Sequence, residues 1–301
     1  PKDRHDAFWG LCYGGAMSMR PFTLIEPDRA ILPLVVDSPH SGRNYPHDFR
    51  FACPLPVLRH TEDFMVDELI TCASEAGAAV LIAEFPRSYI DTNRAEDDLD
   101  PAVLAEPWPA PLAPCERTLL GLGLVRRMCK SGVPLYTHPL PVAEVQARIE
   151  GFYRPYHAAL EGAIARRMEL FGECYLINAH SMPDRRGDNR HPGRPDFVLG
   201  DRQGTSCDPA FTRRVRDLLH DMGFVVALND PYKGMEIVRR YGNPSRGRHA
   251  LQMEINRRLY MNEESLEPHE GFLRLKQALA QCFRLLAAEL MREQQDQLAA
   301  E

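Results

Sequence analysis

Two histidines and one glutamate stand where apolar runs give way to polar residues. His40 follows the run ILPLVVD within SPHSG, His180 follows YLINA within HSMP, and Glu254 interrupts ALQMEIN. In open α/β sheets, ligands bind beyond the carboxyl ends of the strands. Two neutral imidazoles and one carboxylate are a usual donor set for catalytic zinc, with a fourth position left for water. The acidic donor is expected at Asp63 or Glu62, near the start of the next helical pattern. Both residues also suit a helix N-terminus, where the dipole favours acids. Glu254 lies in an apolar stretch, and buried carboxylates are rare unless paired. Arg257 or Arg258 would neutralise it as a structural partner; next to an activated water it would be a general base. Ser41 and Ser181 neighbour the histidines and raise serine chemistry, but no GxSxG elbow supports it.

A second group lies in PRSYIDTNR, residues 86–94. Asn93 and Arg94 are candidates to hold a substrate carboxylate, since a guanidinium grips one as a bidentate fork. The competing reading is a loop ion pair between Arg94 and Glu96, Asp97 or Asp98.

The elements that must carry these residues follow from periodicity. Apolar runs predict strands over 31–37, 79–85, 175–179, 197–200, 224–228 and 250–255, with a further short one over 88–91. Helical spacing predicts helices from Thr61, as N-cap, to Gly77, and over 116–130, 142–171, 209–222 and 272–292. Pro155 should kink the long third helix and could turn Tyr156 or His157 toward the site, or leave them in packing roles. Residues 95–113, rich in proline and acids, read as an irregular excursion. Strands alternating with amphipathic helices indicate a single α/β domain over residues 19–301 with a mixed, mostly parallel sheet flanked by helices. Residues 1–18 read as a tail outside it.

Composition excludes other classes. With 36 Lys plus Arg against 42 Asp plus Glu, the net charge is −6. That balance disfavours nonspecific nucleic-acid binding, which needs a basic face. No apolar run approaches membrane-spanning length. The eight cysteines form no CxxC pair, so they read as reduced thiols of a cytoplasmic protein and not as metal ligands.

Taken together, SPHSG (38–42), TEDFMVDEL (61–69), IDTNR (90–94), NAHSM (178–182) and LQMEINRRLYM (251–261) resemble, in order and spacing, the N-formylglutamate amidohydrolase family. The resemblance implies a fold like that of zinc carboxypeptidases and aspartoacylases (phosphorylase/hydrolase-like) and one Zn2+ per chain. It implies His40, Asp63 and His180 as ligands, Asp63 being preferred to Glu62, and Glu254 as base and acid. Carboxypeptidases place their acidic ligand three residues after the first histidine; here that position is Arg43. The resemblance further implies that Asn93 and Arg94 hold a carboxylate. Lys233 or Arg257 would help neutralise a dicarboxylate. The activity implied is amide hydrolysis of a small N-acyl acidic amino acid, N-formyl-L-glutamate first, as in histidine breakdown. Other acyl groups, and a binding protein without chemistry, are the alternatives.

Overall fold

A computed structural model describes residues 19–28, 31–130, 132–184 and 195–300. In chain order the strands are β1 (Phe22–Ile25), β2 (Leu34–Ser38), β3 (Ala79–Ala83), β4 (Met128–Lys130), β5 (Val133–Pro134), β6 (Cys174–Met182), β7 (Phe197–Gly200), β8 (Val226–Leu228) and β9 (Arg248–Asn256). The helices are α1 (Leu55–Arg59), α2 (Val66–Ile70), α3 (Cys72–Glu75), α4 (Glu116–Leu119), α5 (Val142–Arg148), α6 (Arg154–Phe171), α7 (Pro209–Asp221), α8 (Glu236–Tyr241) and α9 (Gly271–Ala300).

Seven strands form one sheet in the order β1-β3-β2-β6-β9-β7-β8. The central four, β3, β2, β6 and β9, are mutually parallel. At one edge β1 runs antiparallel to β3; at the other, β7 runs antiparallel to β9 and parallel to β8. This is the expected α/β domain with a mixed, mostly parallel sheet. Both faces are covered, which is why β2 and β6 are apolar along most of their length. Val36, Ile177 and Met253 pack into a core shared with α2, α3, α7 and α9. Val35, Leu176 and Ala250 pack into a second core on the side of α5, α6 and α8. Adjacent residues of one strand thus serve opposite cores, as the two-residue period requires.

Four local expectations are corrected. Thr61 caps no helix: its hydroxyl donates back to the Leu58 carbonyl at the end of α1. The next helix begins only at Val66, after Met65 adopts a left-handed backbone (φ 64°). Residues 88–91 turn and form no strand. The helix expected over 116–130 stops at Leu119, because Gly121 takes φ 87° and the chain reverses into the β4–β5 hairpin. His180 lies inside β6, which runs on to Met182, and not in a loop behind it. Between α5 and α6 the helical path passes through a π-turn at Ile149–Tyr153, directly before Pro155. Proline lacks the N–H that would bond back to residue 151, and the wider turn absorbs that loss. Residues 1–18 lie outside the described residues, so the expected tail is not addressed.

Candidate metal and catalytic site

The carboxyl ends of β2, β6 and β9 lie side by side and point the same way, so three distant segments meet there. The loop after β2 carries His40. Its Gly42 runs so close to the strand-end backbone that an added Cβ would stand 2.3 Å from the Phe85 carbonyl oxygen. Only glycine fits, which gives SPHSG a steric reason. The Asp63 N–H donates to the His40 carbonyl (3.0 Å), holding the two segments together.

His40, Asp63 and His180 converge, all three buried, with one donor atom each within 4.8 Å of the others. His40 Nδ1 stands 3.3 Å from Asp63 Oδ2, and His180 Nδ1 stands 2.9 Å from the same oxygen. Zinc bonds of about 2.0–2.2 Å set neighbouring donors of a tetrahedron roughly 3.4 Å apart, so the spacing suits a small divalent cation. Glu62 does not join this group: its Oε1 accepts from the Tyr45 hydroxyl, and its Oε2 is buried without a partner.

The outer nitrogens decide what the inner ones can do. His40 Nε2 lies 2.7 Å from Asp91 Oδ1. A carboxylate only accepts, so Nε2 carries the proton and Nδ1 presents a lone pair. That Nδ1 is buried and makes no hydrogen bond. His180 Nε2 is 2.7 Å from Asn178 Oδ1 and 3.1 Å from Asn93 Nδ2. The shorter contact places the proton on Nε2, because the Asn178 amide is oriented by donating Nδ2 to both Asp37 oxygens (2.9 and 3.1 Å). His180 Nδ1 then also offers a lone pair. Two lone pairs and a carboxylate oxygen facing one another in a buried site suit a cation between them; the donor set therefore fits a metal. Imidazoles backed by a carboxylate or an amide carbonyl are the usual outer arrangement of such centres. Burial works against the charge on Asp63, yet the adjacent His180 and His40 rings hold its carboxyl well below the usual range.

Glu254 lies opposite His180 in register across β6 and β9. Its Oε1 accepts from Gln252 Nε2 at 2.8 Å. Burial raises its carboxyl to about 7, against the lowering influence of His180, Arg87 and Arg257. Neither nearby arginine pairs with it. Arg257 donates to Ser181 Oγ (3.0 Å) and to the Glu62 carbonyl (2.6 Å), and stands 3.5 Å from Asp63 Oδ1. Arg258 binds Asp196. Arg257 therefore steadies Asp63 Oδ1, which also accepts from Ser181.

The remaining candidates are placed as follows. Asn93 accepts from the Ile237 N–H through Oδ1 (2.8 Å) and turns Nδ2 toward His180. Arg94 is buried and pairs with Asp98 (3.3 Å), the ion pair weighed for this loop. Lys233 has an exposed side chain in the loop before α8. Tyr156 and His157 do not reach the cluster: Tyr156 donates to Asp37 Oδ2 (2.8 Å), and His157 joins Tyr241 and the Thr92 carbonyl. The serine reading loses its geometry. Ser41 bonds Ser38 and Ser181 bonds Asp63, while the imidazole nitrogens are engaged elsewhere or face the cluster.

Several residues that shape the site went unassigned from sequence. Asp91 and Asn178 act through partners 51 and 141 residues away, His40 and Asp37, and a single sequence carries no signal for such pairs; Arg87, Gln252 and Arg126 also went unassigned. Asp91 and Arg87 in PRSYIDTNR, Asn178 in NAHSM and Gln252 in LQMEINRRLYM lay in segments already singled out; Arg126 did not.

Fold and site together define a class: an α/β domain whose parallel strands end at a buried His–Asp–His set suited to a divalent cation. Residues 32–261 match the N-formylglutamate amidohydrolase family, and the chain belongs to that family. It is 33% identical to N-formylglutamate deformylase of Pseudomonas putida over 240 residues, covering 77% of this chain and 83% of that protein. The Pseudomonas aeruginosa deformylase is also 33% identical, over 79% of this chain and 85% of its own length. The crystal structure of N-formylglutamate amidohydrolase from Ralstonia eutropha JMP134 superposes with a TM-score of 0.88 at 45% identity, covering 91% of this chain and all of that one. A gene product of Agrobacterium tumefaciens shares the fold at 16% identity, with a TM-score of 0.66 over 92% of this chain and 96% of that one. The chain is thus an amide-hydrolysing enzyme. Among the described residues no helix is long and apolar enough to cross a membrane.

Proposed function

We propose that this enzyme hydrolyses N-formyl-L-glutamate to formate and L-glutamate, with a zinc ion held by His40 Nδ1, Asp63 Oδ2 and His180 Nδ1. The observation that carries the metal is the pair of imidazole lone pairs turned inward on one carboxylate oxygen, each fixed from behind. The substrate is supported by relatives named for N-formylglutamate at 33% and 45% identity.

A divalent cation supplies Lewis acidity, making water a better nucleophile and the amide carbonyl a better electrophile. The chain's own groups do the rest. Glu254, ionised, accepts a proton from the attacking water and returns it to the leaving amine. Asp91 and Asn178 hold the two imidazoles in the tautomer that faces inward, so no reorganisation is needed at the moment of reaction. Arg87, whose charge is felt at both Asp63 and Glu254, is placed to stabilise negative charge developing on the carbonyl oxygen. Arg94 fixes a substrate carboxylate and thereby the amide, its exchange partner being Asp98. On this reading the reaction closes a route of histidine breakdown.

The test is metal content measured together with formate release. Purified enzyme should carry about one zinc per chain and release formate from N-formyl-L-glutamate, and chelation should stop turnover until zinc is returned. Full-speed hydrolysis by metal-free enzyme would overturn the proposal.

A further inference from the structure

Three guanidinium groups gather behind the His40 side of the site, opposed by two carboxylates. Arg87 donates to Asp91 Oδ2 through Nη2 (2.8 Å) and Nε (3.2 Å). Arg94 pairs with Asp98. Arg126 is placed differently. It is 8% exposed, yet among the described residues it forms no hydrogen bond: its Nε is buried without a partner, and its one ion pair there is a long 3.5 Å approach to the Asp91 oxygen that Arg87 already holds. A buried guanidinium carries five donors and is costly to leave unmatched.

The loop that carries it is rigid. Leu124 and Val125 are fully buried. The Leu124 N–H donates to the Asp98 carbonyl, and the Leu124 carbonyl accepts from the Asp91 N–H, both at 2.8 Å. Gly121 reverses the chain into this loop at φ 87°, and an added Cβ there would stand 2.4 Å from the Met128 side chain. Arg126 is therefore held in place by backbone bonds to the two acidic segments, while its own head group is left over. Burial first, then the like charges of Arg87 and Arg94, bring its pKa down to about 9 against the pull of Asp91 and Asp63.

We infer that Arg126 is a specificity residue that binds the side-chain carboxylate of the substrate. This rests on the proposed function and extends it. In N-formylglutamate the α-carboxylate is two bonds from the scissile nitrogen and the side-chain carboxylate is four. The proposed function gives Arg94 the carboxylate that fixes the amide; Arg126, which shares Asp91 Oδ2 with Arg87 and has its Nε unmatched, is left to take the other. A carboxylate arriving there completes a bidentate fork and satisfies the buried Nε.

The experiment compares N-formyl-L-glutamate with N-formyl-L-glutamine, which differs only in the side-chain charge. For Arg126→Gln, kcat/KM on the glutamate substrate should fall on the order of 50-fold, mostly in KM, as for a lost hydrogen bond to a charged group. The glutamine substrate should change less than about threefold. Arg126→Lys keeps the charge beside Asp91 and decides the matter if the glutamine variant does not fold: it too should narrow the preference between the substrates. Equal losses on both substrates, or an unchanged ratio, would overturn the inference. A wild-type enzyme inert toward N-formyl-L-glutamate would instead remove the proposed function on which it stands.

Discussion

His180 on β6 and Glu254 on β9 face each other in direct register, one strand apart in a continuous parallel ladder. Because the pairing is fixed by backbone hydrogen bonds on both strands, the two Cα positions cannot part without breaking the sheet. Glu254→Gln keeps the shape and removes the proton acceptor. The expected result is unchanged metal content with kcat lowered about 10²–10⁴-fold, the usual contribution of general acid–base catalysis. Metal analysis and steady-state kinetics on one preparation check it. Burial lifts this carboxyl to about 7, and a bound cation pulls it back down. The acid limb of kcat/KM should therefore titrate below neutral pH and vanish in the variant.

At the proposed metal site Asp91 acts through His40. Asp91→Asn frees His40 Nε2 from a pure acceptor and leaves Arg87 facing a neutral amide. Zinc affinity should weaken about 10–100-fold, as for other outer-sphere partners, with the fold retained. Competition against a chromophoric chelator measures it; an unaltered affinity would contradict the role given to the Asp91–His40 contact.

Asp37, fully buried on β2, accepts from Tyr156 and Asn178. Burial outweighs these bonds and raises its carboxyl to about 6. The folded protein therefore holds a proton there that the unfolded chain, near 3.8, has released. Stability from this group is present below about pH 3.8 and is lost as pH rises through 6, by up to about 3 kcal/mol. Asp37→Asn should remove that slope, so its stability relative to wild type should climb between pH 4 and 6 in denaturant titrations.

His157 has the opposite sign. Burial, aided by Arg240, pulls its ring down to about 3, so it stays neutral in the fold. Stability from this group is complete above about 6.5 and falls as pH drops toward 3, by up to about 5 kcal/mol. His157→Asn should flatten the acid limb of Tm against pH. An unchanged limb would show that the imidazole is not held neutral.

Tyr45, partly buried, donates to the buried Glu62 beside Asp63. Tyr45→Phe leaves the Glu62 carboxyl, already raised to about 7 by burial, without a donor. The expected cost is about 1–3 kcal/mol in chemical denaturation, with the order of substrate preference unchanged.

The strand-end histidines, the strand glutamate and the alternation of apolar strands with helices were legible in the chain, because burial on both sheet faces writes itself as apolar runs and chemistry collects where those runs end. The choice of Asp63 over Glu62 was not settled by spacing, since both occupy one short polar segment. In the fold it is Asp63 that meets His180, while Glu62 pairs with Tyr45. Arg257 was legible as a charge near the site, but only the fold turned it onto Asp63 and Ser181 instead of toward solvent. Arg126, 32 residues past Arg94 and in a stretch that read as helix, gave no local sign at all. Its place depends on Gly121 breaking that helix and on a loop pinned to Asp91, long-range contacts that side-chain periodicity does not encode.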